Sequence, residues 1–498
     1  MGAKNLSSMP PKVTEEEAKN AEIIARQDRI PIWALSYLFL GILGIGYIFI
    51  FFDIFNINVS FIQTALTLGW AHSPTAAAIT SLEGLVVLLN LIGYVIGALL
   101  ISPFSDRYGR REMLIFTLLI TGIGSIFNAL VTNYWEFTLA RFITGIGVGA
   151  DLAIVNSYIS EVAPKNGRAR YTSFLFVLAG IGTVLAVWVG LILTTPATAF
   201  PNGLPFALAN TGTFLATNGW RLMYGIGGVL ALIGVLLRFG LPESTRWLIT
   251  HGRPKEAERI VTEMETRALE SVEELPPLPE SIPIIQKPQP VPYAEILKNK
   301  MYRNRTILLF LVWFFGYMTV YINAAGLSSI LAGAGFGFPE NGIIVALGIF
   351  GFVVAGVMAS FLGDKMERKL WLPISAAITF VGGIIVAFGV NNLSLAALGA
   401  LLIFIGMDFW VPISYTWVSE SFPTRARATG FALADGLGHL GGGIGLIIVG
   451  ALLSILKSGS VESILILFVI IAMFQIISAI IAQFGPRTTN KRLDEVSP

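Results

Sequence analysis

Several ionisable side chains lie within long apolar stretches of this sequence, where a charge is costly. Asp53, Arg141 and Asp151 are three of them. A charged residue at the centre of a bilayer costs about 2.5–3.5 kcal/mol even on the mildest scale, so each is a candidate functional group. A carboxylate can take up and release a proton, and an adjacent cation keeps it ionised until the two separate. These residue types therefore indicate reversible proton binding.

The polar residues of the first apolar stretch share one helical face. Asp53, Asn56, Ser60 and Gln63 are spaced by three, four and three positions, which is close to the repeat of an α-helix. Because a polar stripe is too costly to face lipid, we expect it to face a protein interior or an aqueous path.

A second stripe lies in the fourth apolar stretch, where Arg141, Thr144, Asp151 and Tyr158 again fall broadly on one face. If the first stretch runs outward and the fourth inward, Asp53 and Arg141 lie at similar depths. Asp151 lies about 15 Å deeper, at about 1.5 Å per helical residue. It is a candidate second proton site or substrate contact. The alternative is that Asp53 reaches external water and that Arg141 caps a helix end.

The elements that position these residues are predicted to be membrane-spanning helices. The 498-residue chain is 54% hydrophobic and only 13% charged, with a mean hydropathy of +0.74, whereas about a quarter of the residues of a soluble protein are charged. Its apolar runs are long enough to cross about 30 Å of hydrocarbon, and unbroken runs of this length exclude a β-barrel. We predict twelve spans, near residues 33–57, 84–103, 113–132, 137–158, 171–193, 222–240, 306–329, 341–361, 371–390, 394–418, 427–455 and 461–484.

The basic residues predict the orientation of these spans. With both termini cytoplasmic, all but four of the 33 Lys and Arg residues fall in cytoplasmic segments, the exceptions being Arg141, Arg221, Arg238 and Lys457. A wrong span count would scramble this distribution. We therefore expect a multi-pass protein of the cell (plasma) membrane with both ends in the cytoplasm.

The chain divides into two similar halves. "DRYGRR" (106–111) recurs as "DKMERK" (364–369), and "YISEVAPKNGRAR" (158–170) recurs as "WVSESFPTRARATG" (417–430) at nearly the same offset. Two motifs repeated at equivalent loops indicate a duplicated six-helix unit. The predicted segments are a cytoplasmic N-terminal segment (1–32), a first six-helix bundle (33–240), a cytoplasmic linker with helical and proline-rich parts (241–305), a second six-helix bundle (306–484) and a cytoplasmic tail (485–498).

These motifs resemble the cytoplasmic loop signatures of the major facilitator superfamily. "RFITGIGVG" (141–149) and "PESTRWLITHGR" (242–253) are similar to its branch of sugar porters and organic-ion transporters. One departure is that Ser102 and Ser360 stand where the loop signature usually begins with glycine. The resemblance implies an all-α membrane protein whose twelve transmembrane helices form two pseudo-symmetric six-helix bundles. It also implies that Asp53 and Arg141 form a protonation switch.

The resemblance further implies a gating network on the cytoplasmic side. In the first half the loop arginines would reach Glu161 and Glu243, and in the second half Arg368 would meet Glu420. Such a network would clasp the two bundles together while the cavity opens outward, and anchoring of short inner loops by basic residues is the alternative. The expected members are Asp106, Arg107, Arg110, Arg111, Glu161, Arg168, Glu243, Arg246, Asp364, Arg368, Glu420 and Arg427.

The expected substrate contacts come from both halves. Tyr415 follows Ser414 where sugar porters have a Pro-Trp pair in span 10, and span 7 has tyrosines in place of their paired glutamines. His439, one turn after Asp435, is neither the arginine nor the acid common there in organic-ion transporters, so the charge of the substrate stays open. A packing role for this histidine is equally compatible with the sequence. The candidates are Asn56, Gln63, Asp151, Tyr317, Tyr321, Asn323, Asp408, Trp410, Tyr415, Asp435 and His439.

The remaining sequence features exclude several functional classes. The chain has no cysteine, no nucleotide-binding motif and no basic nucleic-acid patch, and its three histidines are too scattered for a metal site. We therefore expect no enzyme, no cofactor and no metal, with protons as the coupling ion. The expected function is secondary active transport by alternating access, in a monomer surrounded by lipid, of a small polar organic solute. A sugar is the first expectation. An organic acid or organic cation is the alternative, and a non-transporting membrane sensor is the rival from another class.

Overall fold

The structure, a computed structural model, describes residues 14–73, 77–164, 168–278, 292–423, 426–489, 491 and 496–497, without the side chains of residues 77, 160, 168, 169, 292, 295 and 428. All regular secondary structure in these ranges is helical. The prediction of twelve spans is confirmed. Spans 1–12 are Tyr37–Thr67, Ala78–Ile101, Arg110–Leu130, Tyr134–Ile159, Arg170–Thr194, Phe214–Arg238, Lys300–Ala324, Glu340–Leu362, Arg368–Phe388, Leu393–Glu420, Thr429–Leu453 and Val461–Ala482.

Two span boundaries differ from the prediction in ways that affect function. Span 2 begins at Ala78, which places Glu83 inside the membrane segment instead of just before it. Span 7 ends at Ala324 and is followed, after a short break, by the separate helix Leu327–Ala334. We call this second piece the half-helix. We call the end of the bundle at which spans 1 and 7 begin the terminal side, and the other end the opposite side.

The twelve spans pack as two bundles. Within the first half, span 1 packs along spans 5 and 6, and span 3 packs along spans 4 and 6. The second half repeats this pattern, since span 7 packs along spans 11 and 12, and span 9 packs along spans 10 and 12. The halves meet mainly where span 2 packs against span 11 and where span 5 packs against span 8.

Small residues allow the halves to approach closely. A Cβ atom at Gly443 of span 11 would lie only 2.3 Å from Leu88 Cα of span 2. Spans 2 and 11 also each contain a π-helical turn, Gly97–Ile101 and Ala432–Gly436. Such turns occur frequently at functional sites, and here the second one contains Asp435.

Short helices cover the terminal side of the first half. The N-terminal helix Glu15–Asp28 begins with a capping box, in which Thr14 and Glu17 satisfy each other's backbone N–H groups. It packs against the linker helix Pro254–Leu269. The two helices are joined by Arg26 and Arg29, which each lie 2.6 Å from a carboxylate oxygen of Glu265. Most of the proline-rich part of the linker lies outside the described residues.

Candidate proton-coupling and substrate sites

Asp53 of span 1 and Arg141 of span 4 form a buried ion pair. Arg141 Nη1 lies 3.0 Å from Asp53 Oδ2 and donates a second hydrogen bond of 3.0 Å to the Asp53 backbone carbonyl. Both side chains are at most 3% exposed. Each charge compensates the other, and separating the two would leave both uncompensated inside the protein.

The groups around this pair hold both charges in place. Ser125 Oγ of span 3 donates to Asp53 Oδ1 at 2.8 Å. Asn90 Nδ2 of span 2 donates to the Arg141 carbonyl at 2.5 Å. Asn56 lies one turn after Asp53 and is completely buried, yet neither its amide oxygen nor its amide nitrogen has a partner among the described residues. A solute that reaches this level therefore meets a free hydrogen-bond donor and acceptor.

Asp151 forms a second buried ion pair, with Arg238 of span 6. Two guanidinium nitrogens of Arg238 donate to the two carboxylate oxygens, and neither side chain is exposed. Thr117 Oγ1 also donates to Asp151 Oδ1 at 2.7 Å. The Asp151 carboxylate is therefore engaged within the first half, and its role as a substrate contact or second proton site stays a prediction. Span 1 passes so close that a Cβ at Gly46 would lie 2.5 Å from Arg238 Nη2.

A buried cluster between the halves surrounds Asp435 of span 11. Tyr317 Oη of span 7 donates to Asp435 Oδ1 at 2.6 Å, and Tyr94 Oη of span 2 donates to Oδ2 at 3.2 Å. Tyr415 of span 10 extends the cluster, with its hydroxyl 3.1 Å from that of Tyr317. No Lys or Arg forms an ion pair with Asp435 among the described residues. Spans from both halves thus converge on one carboxyl group, as a site between two moving bundles requires.

His439 lies within the same cluster, one helical turn after Asp435. Its Nδ1 is 2.8 Å from the Asp435 carbonyl oxygen and 3.8 Å from Oδ2. The imidazole stacks on Tyr94, with ring centroids 3.7 Å apart, and contacts the Tyr317 ring in a tilted arrangement at 3.9 Å. Tyr321 completes this aromatic wall at 5.6 Å. The histidine packs and hydrogen-bonds within the cluster, which agrees with the packing interpretation, and its contact with a substrate stays a prediction.

Two tryptophans extend the cluster into the second half. Trp313 and Trp410 have ring centroids 4.7 Å apart, and Trp313 lies 5.2 Å from Tyr415. Both are fully buried, and neither indole N–H has a partner among the described residues. Asp408, two residues before Trp410, is also buried, and its Oδ2 has no partner there. These orphan polar atoms are available to a bound polar solute.

Two predicted substrate contacts lie elsewhere. Gln63 accepts a hydrogen bond from Trp220 N at 2.9 Å and donates to the carbonyls of Leu215 and Ala216 at 3.1 Å. It therefore ties span 1 to the start of span 6, and its assignment to the substrate site stays a prediction. Asn323, one residue before the end of span 7, donates to the Thr319 carbonyl at 2.7 Å, and its side-chain oxygen has no partner among the described residues.

The "DRYGRR" loop (106–111), between spans 2 and 3, forms a charged network on the terminal side. Arg110 lies 2.5 Å from Asp106 Oδ1 and 3.1 Å from Glu161 Oε1. Glu243 accepts hydrogen bonds from the backbone N–H groups of Arg110 and Arg111, at 3.0 and 3.2 Å, and so caps the N-terminus of span 3. Burial raises the pKa of Glu243, against the lowering effect of these N–H donors.

The second half repeats this network. Arg368 lies 2.8 Å from Asp364 Oδ1 and 3.2 Å from Glu420 Oε1. Glu420 also accepts a 2.6 Å hydrogen bond from Thr488 Oγ1. Lys369 donates to the carbonyls of Gln483 and Gly485, at 2.6 and 3.0 Å.

These contacts correct the expectation that the two networks clasp the bundles to each other. Among the described residues, the partners of Arg110 lie in the first six-helix bundle and at the start of the linker, and those of Arg368 lie in the second bundle and the tail. The physical reason is proximity, because each loop lies within its own bundle beside the span ends that carry the acidic residues. Each network therefore fixes the terminal ends of the spans within one half.

The other predicted members lie around these networks. Arg107 is exposed, with its guanidinium 5.5 Å from the Tyr108 ring centroid, and Arg111 lies 3.5 Å from Glu112. Arg246 pairs at 2.8 Å with Asp28 of the N-terminal helix and not with the loop. Arg427 Nε donates to the Ser419 carbonyl at 2.9 Å. The side chain of Arg168 lies outside the described part of the chain.

Comparison with known proteins identifies the family. The profile described as "Sugar (and other) transporter" matches residues 39–498. The chain belongs to this family. Transporters of this family are not enzymes, and the chain is accordingly a multi-pass membrane transporter of the major facilitator superfamily, which replaces the sensor interpretation.

Curated relatives of this transporter cover most of its length. The niacin transporter NiaP of Acinetobacter baylyi is 25% identical over 95% of this chain and 99% of the relative. The putative metabolite transport protein YyaJ of Bacillus subtilis is 30% identical over 85% and 88%. The D-xylose transporter of Levilactobacillus brevis is 26% identical over 71% and 74%.

Solved structures show the same fold. The partially occluded inward-open conformation of the xylose transporter XylE from E. coli superposes with a TM-score of 0.67 at 22% identity, covering 92% of this chain and 99% of that one. The inward-open conformation of the same protein gives 0.64. The predicted arrangement of two pseudo-symmetric six-helix bundles is thus confirmed.

Several residues of this transporter's sites were missing from the sequence prediction. Arg238 had been noted only as an exception to the charge distribution, although an arginine in one span and an aspartate in another are a signal for pairing. Ser125 and Tyr94 gave no signal, because single hydroxyl groups in apolar helices are common. Glu83 lay one residue outside the predicted span 2, so it was never considered as an intramembrane carboxyl.

Proposed function

We propose that this transporter is a proton-coupled symporter that uses Asp53 as its proton carrier. The observation that carries this proposal is the buried Asp53–Arg141 pair, which joins spans 1 and 4. An adjacent cation keeps a carboxylate ionised, and a carboxyl group deprived of its cation in a dry environment takes up a proton. Movement of Arg141 away from Asp53 therefore converts a conformational change into proton binding.

We propose the Asp435 cluster as the substrate site, and a small hydroxylated solute such as a sugar as the substrate. The support is chemical. Tyrosine hydroxyls, indole N–H groups and the free amide of Asn56 offer both donors and acceptors without a net charge of their own. Aromatic walls formed by Tyr317 and Trp313 suit the apolar faces of such a solute.

An organic cation is the second candidate, and one specific observation favours it. Asp435 is buried among aromatic rings without a Lys or Arg partner among the described residues. A carboxylate within an aromatic wall is a favourable environment for an ammonium group. An organic acid would require Asp435 to be protonated before it binds, so we place it third.

We further propose that the terminal side faces the cytoplasm of a cell whose plasma membrane holds the protein as a monomer surrounded by lipid. The support is the concentration of Lys and Arg in the segments of that side. Protons would be the coupling ion, with no other cofactor.

Uptake into proteoliposomes tests this function. The purified protein is given an inward proton gradient and labelled D-xylose, tetraethylammonium or 4-hydroxybenzoate. Accumulation of one of these above its external concentration, abolished by a protonophore, is expected. Asp435→Asn should retain a large part of the uptake of a neutral sugar and abolish that of a cation. Accumulation that persists with the protonophore would contradict proton coupling.

A further inference from the structure

A third intramembrane carboxyl group lies on the opposite side of the bundle. Glu83 of span 2 is 0% exposed and contacts the half-helix Leu327–Ala334 of the second half, where its Oε2 is 2.5 Å from Ser329 Oγ. Its other oxygen, Oε1, has no partner among the described residues. The two halves meet here, since a Cβ on the neighbouring Gly84 would lie 2.9 Å from Ile447 N of span 11.

The hydrogen bonds around Ser329 suit a protonated Glu83, because an ionised carboxylate would have a single donor there and one oxygen without any among the described residues. Ser329 Oγ is also 2.9 Å from the Gly326 carbonyl oxygen, which can only accept. The serine has one hydroxyl hydrogen. If Glu83 is ionised, the serine hydrogen is the one donor that its carboxylate has among the described residues, while the Gly326 carbonyl keeps the Ile330 N–H as a donor at 2.9 Å. If Glu83 is a neutral acid, it donates to Ser329 Oγ and the serine donates to Gly326.

No cation forms an ion pair with Glu83 among the described residues. The half-helix and span 11 from Leu440 onward contain no titratable side chain. Span 4 contributes three titratable side chains, Tyr134, Glu136 and Arg141. Tyr134 donates to the Leu82 carbonyl, and Glu136 accepts from Thr132. Arg141 is engaged by Asp53 of span 1, and Tyr224 of span 6 bonds Ser60. An ionised Glu83 would therefore be a buried, half-satisfied charge, which is strongly unfavourable.

We propose that Glu83 is a second protonation site, separate from Asp53, that controls closure of the opposite side. Proton uptake from solvent converts its carboxylate to the neutral acid, which can be buried against Ser329 when the half-helix closes. Loss of that proton restores a charge that needs water, so the half-helix separates from span 2. Acid therefore favours the closed opposite side and alkali favours the open one.

A neighbouring contact shows that the half-helix is the element being held. Asn58 Nδ2 of span 1 donates to the carbonyls of Asn323 and Ala324 at 2.9 and 2.8 Å, and its Oδ1 accepts from Ser328 N at 3.1 Å. These bonds hold the break between span 7 and the half-helix and involve no titratable group. Asn58 provides a pH-independent part of the closure and Glu83 provides the pH-dependent part.

Distances between two spin labels test this proposal in the full chain, which lacks cysteine. Leu130→Cys in the first half and Ile455→Cys in the second lie at the opposite-side ends of spans 3 and 11, and both residues are exposed. The measurement is made in nanodiscs between pH 5 and 9, in an Asp53→Asn background that removes the first proton site. We expect the short-distance population to increase as the pH falls. Adding Glu83→Gln should give the short distance at every pH, because the amide mimics the neutral acid.

Two further variants complete the experiment. Ser329→Ala keeps the Glu83 carboxyl group but removes the hydroxyl that accepts its proton in a hydrogen bond. The midpoint of the pH-dependent closure should therefore move to lower pH by about one unit, because the free energy of one hydrogen bond is comparable to that of one pKa unit. Glu136→Gln is the control, because this acid lies on the same side and accepts its hydrogen bonds from Thr132, next to its own helix. It should leave the midpoint of the closure unchanged. The proposal is overturned if the pH response disappears in Asp53→Asn alone, if it survives Glu83→Gln, or if Ser329→Ala leaves its midpoint in place.

Discussion

Arg238 and Asp151 form a bidentate ion pair with no solvent exposure between spans 6 and 4. Removing one member of such a pair leaves an uncompensated charge in a dry interior. We expect Asp151→Ala to lower the free energy of unfolding of the protein by roughly 3–5 kcal/mol. Thermal unfolding in detergent, followed by tryptophan fluorescence, measures the loss.

The matched control is Arg253→Ala, which removes an exposed pair with Glu256. Exposed pairs contribute about 0–1 kcal/mol, so its unfolding transition should barely move. If Asp151→Ala is as stable as this control, the pair does not hold spans 4 and 6 together.

The loop before span 3 provides a second comparison, between adjacent arginines. Arg110 is buried between Asp106 and Glu161, whereas the side chain of Arg111 is 36% exposed beside Glu112. We expect Arg110→Ala to speed amide hydrogen exchange in residues 104–110 about tenfold or more, because a charge-assisted network of this kind is worth about 1.5–3 kcal/mol. Arg111→Ala should leave exchange there nearly unchanged. Equal rates in the two variants would show that the loop is held by its backbone alone.

The hydroxyl group of Tyr317 is expected to order the substrate site. Tyr317→Phe removes the 2.6 Å hydrogen bond to Asp435 while keeping the ring. The loss of one charge-assisted hydrogen bond should raise KM about tenfold in proteoliposome uptake. Tyr108→Phe changes an exposed tyrosine in the terminal-side loop and serves as the control. A KM for Tyr317→Phe equal to that of the control would place the substrate elsewhere.

The N-terminal helix should dissociate from the linker helix in acid. Burial raises the pKa of Glu265, but hydrogen bonds and charge from Arg26 and Arg29 outweigh this and hold the pKa below its ordinary value of 4.5. A lowered pKa means that the stabilisation is present above pH 4.5 and is lost as the pH falls through the lowered pKa. The protection of amides 15–28 against hydrogen exchange, taken relative to the intrinsic exchange rate at each pH, should therefore fall below about pH 4.5.

Glu265→Gln is expected to give this weak protection of the N-terminal helix already at neutral pH. It should also make that protection independent of acid. Glu263→Gln, on the same helix but paired only with Arg267, is the control. Protection of the N-terminal helix that is independent of pH in the unmodified protein would argue against the role of Glu265.

The sequence was sufficient to predict the spans and one of the two ion pairs that are buried between spans of the first half, Asp53–Arg141. Long apolar runs report membrane helices directly, and helical spacing with depth brings Asp53 near Arg141. Asp151 was placed on the correct face, but its partner could not be selected, because Arg238 lies at the predicted end of span 6, where an arginine could equally extend to the membrane surface.

Other features depend on three-dimensional proximity that sequence patterns do not encode. A loop motif shows that acidic and basic residues recur. It does not show whether Arg110 and Arg368 contact acidic groups of their own half or of the other half. The break after Ala324 contains Gly326 but no proline, and a single glycine in a helical pattern is too weak a signal to separate the half-helix from span 7. Glu83 marks the limit of hydropathy analysis, which ends a span at its first charged residue even when that residue is buried.

Transport by the Asp53→Asn variant is the most direct test of the account. The substitution keeps the shape of the side chain and fixes it in a neutral form. In proteoliposomes we predict that the variant exchanges labelled for unlabelled substrate at a rate similar to that of the unmodified protein. It should fail to concentrate substrate under an imposed proton gradient. Concentration of substrate by Asp53→Asn under that gradient would contradict the assignment of Asp53 as the proton carrier.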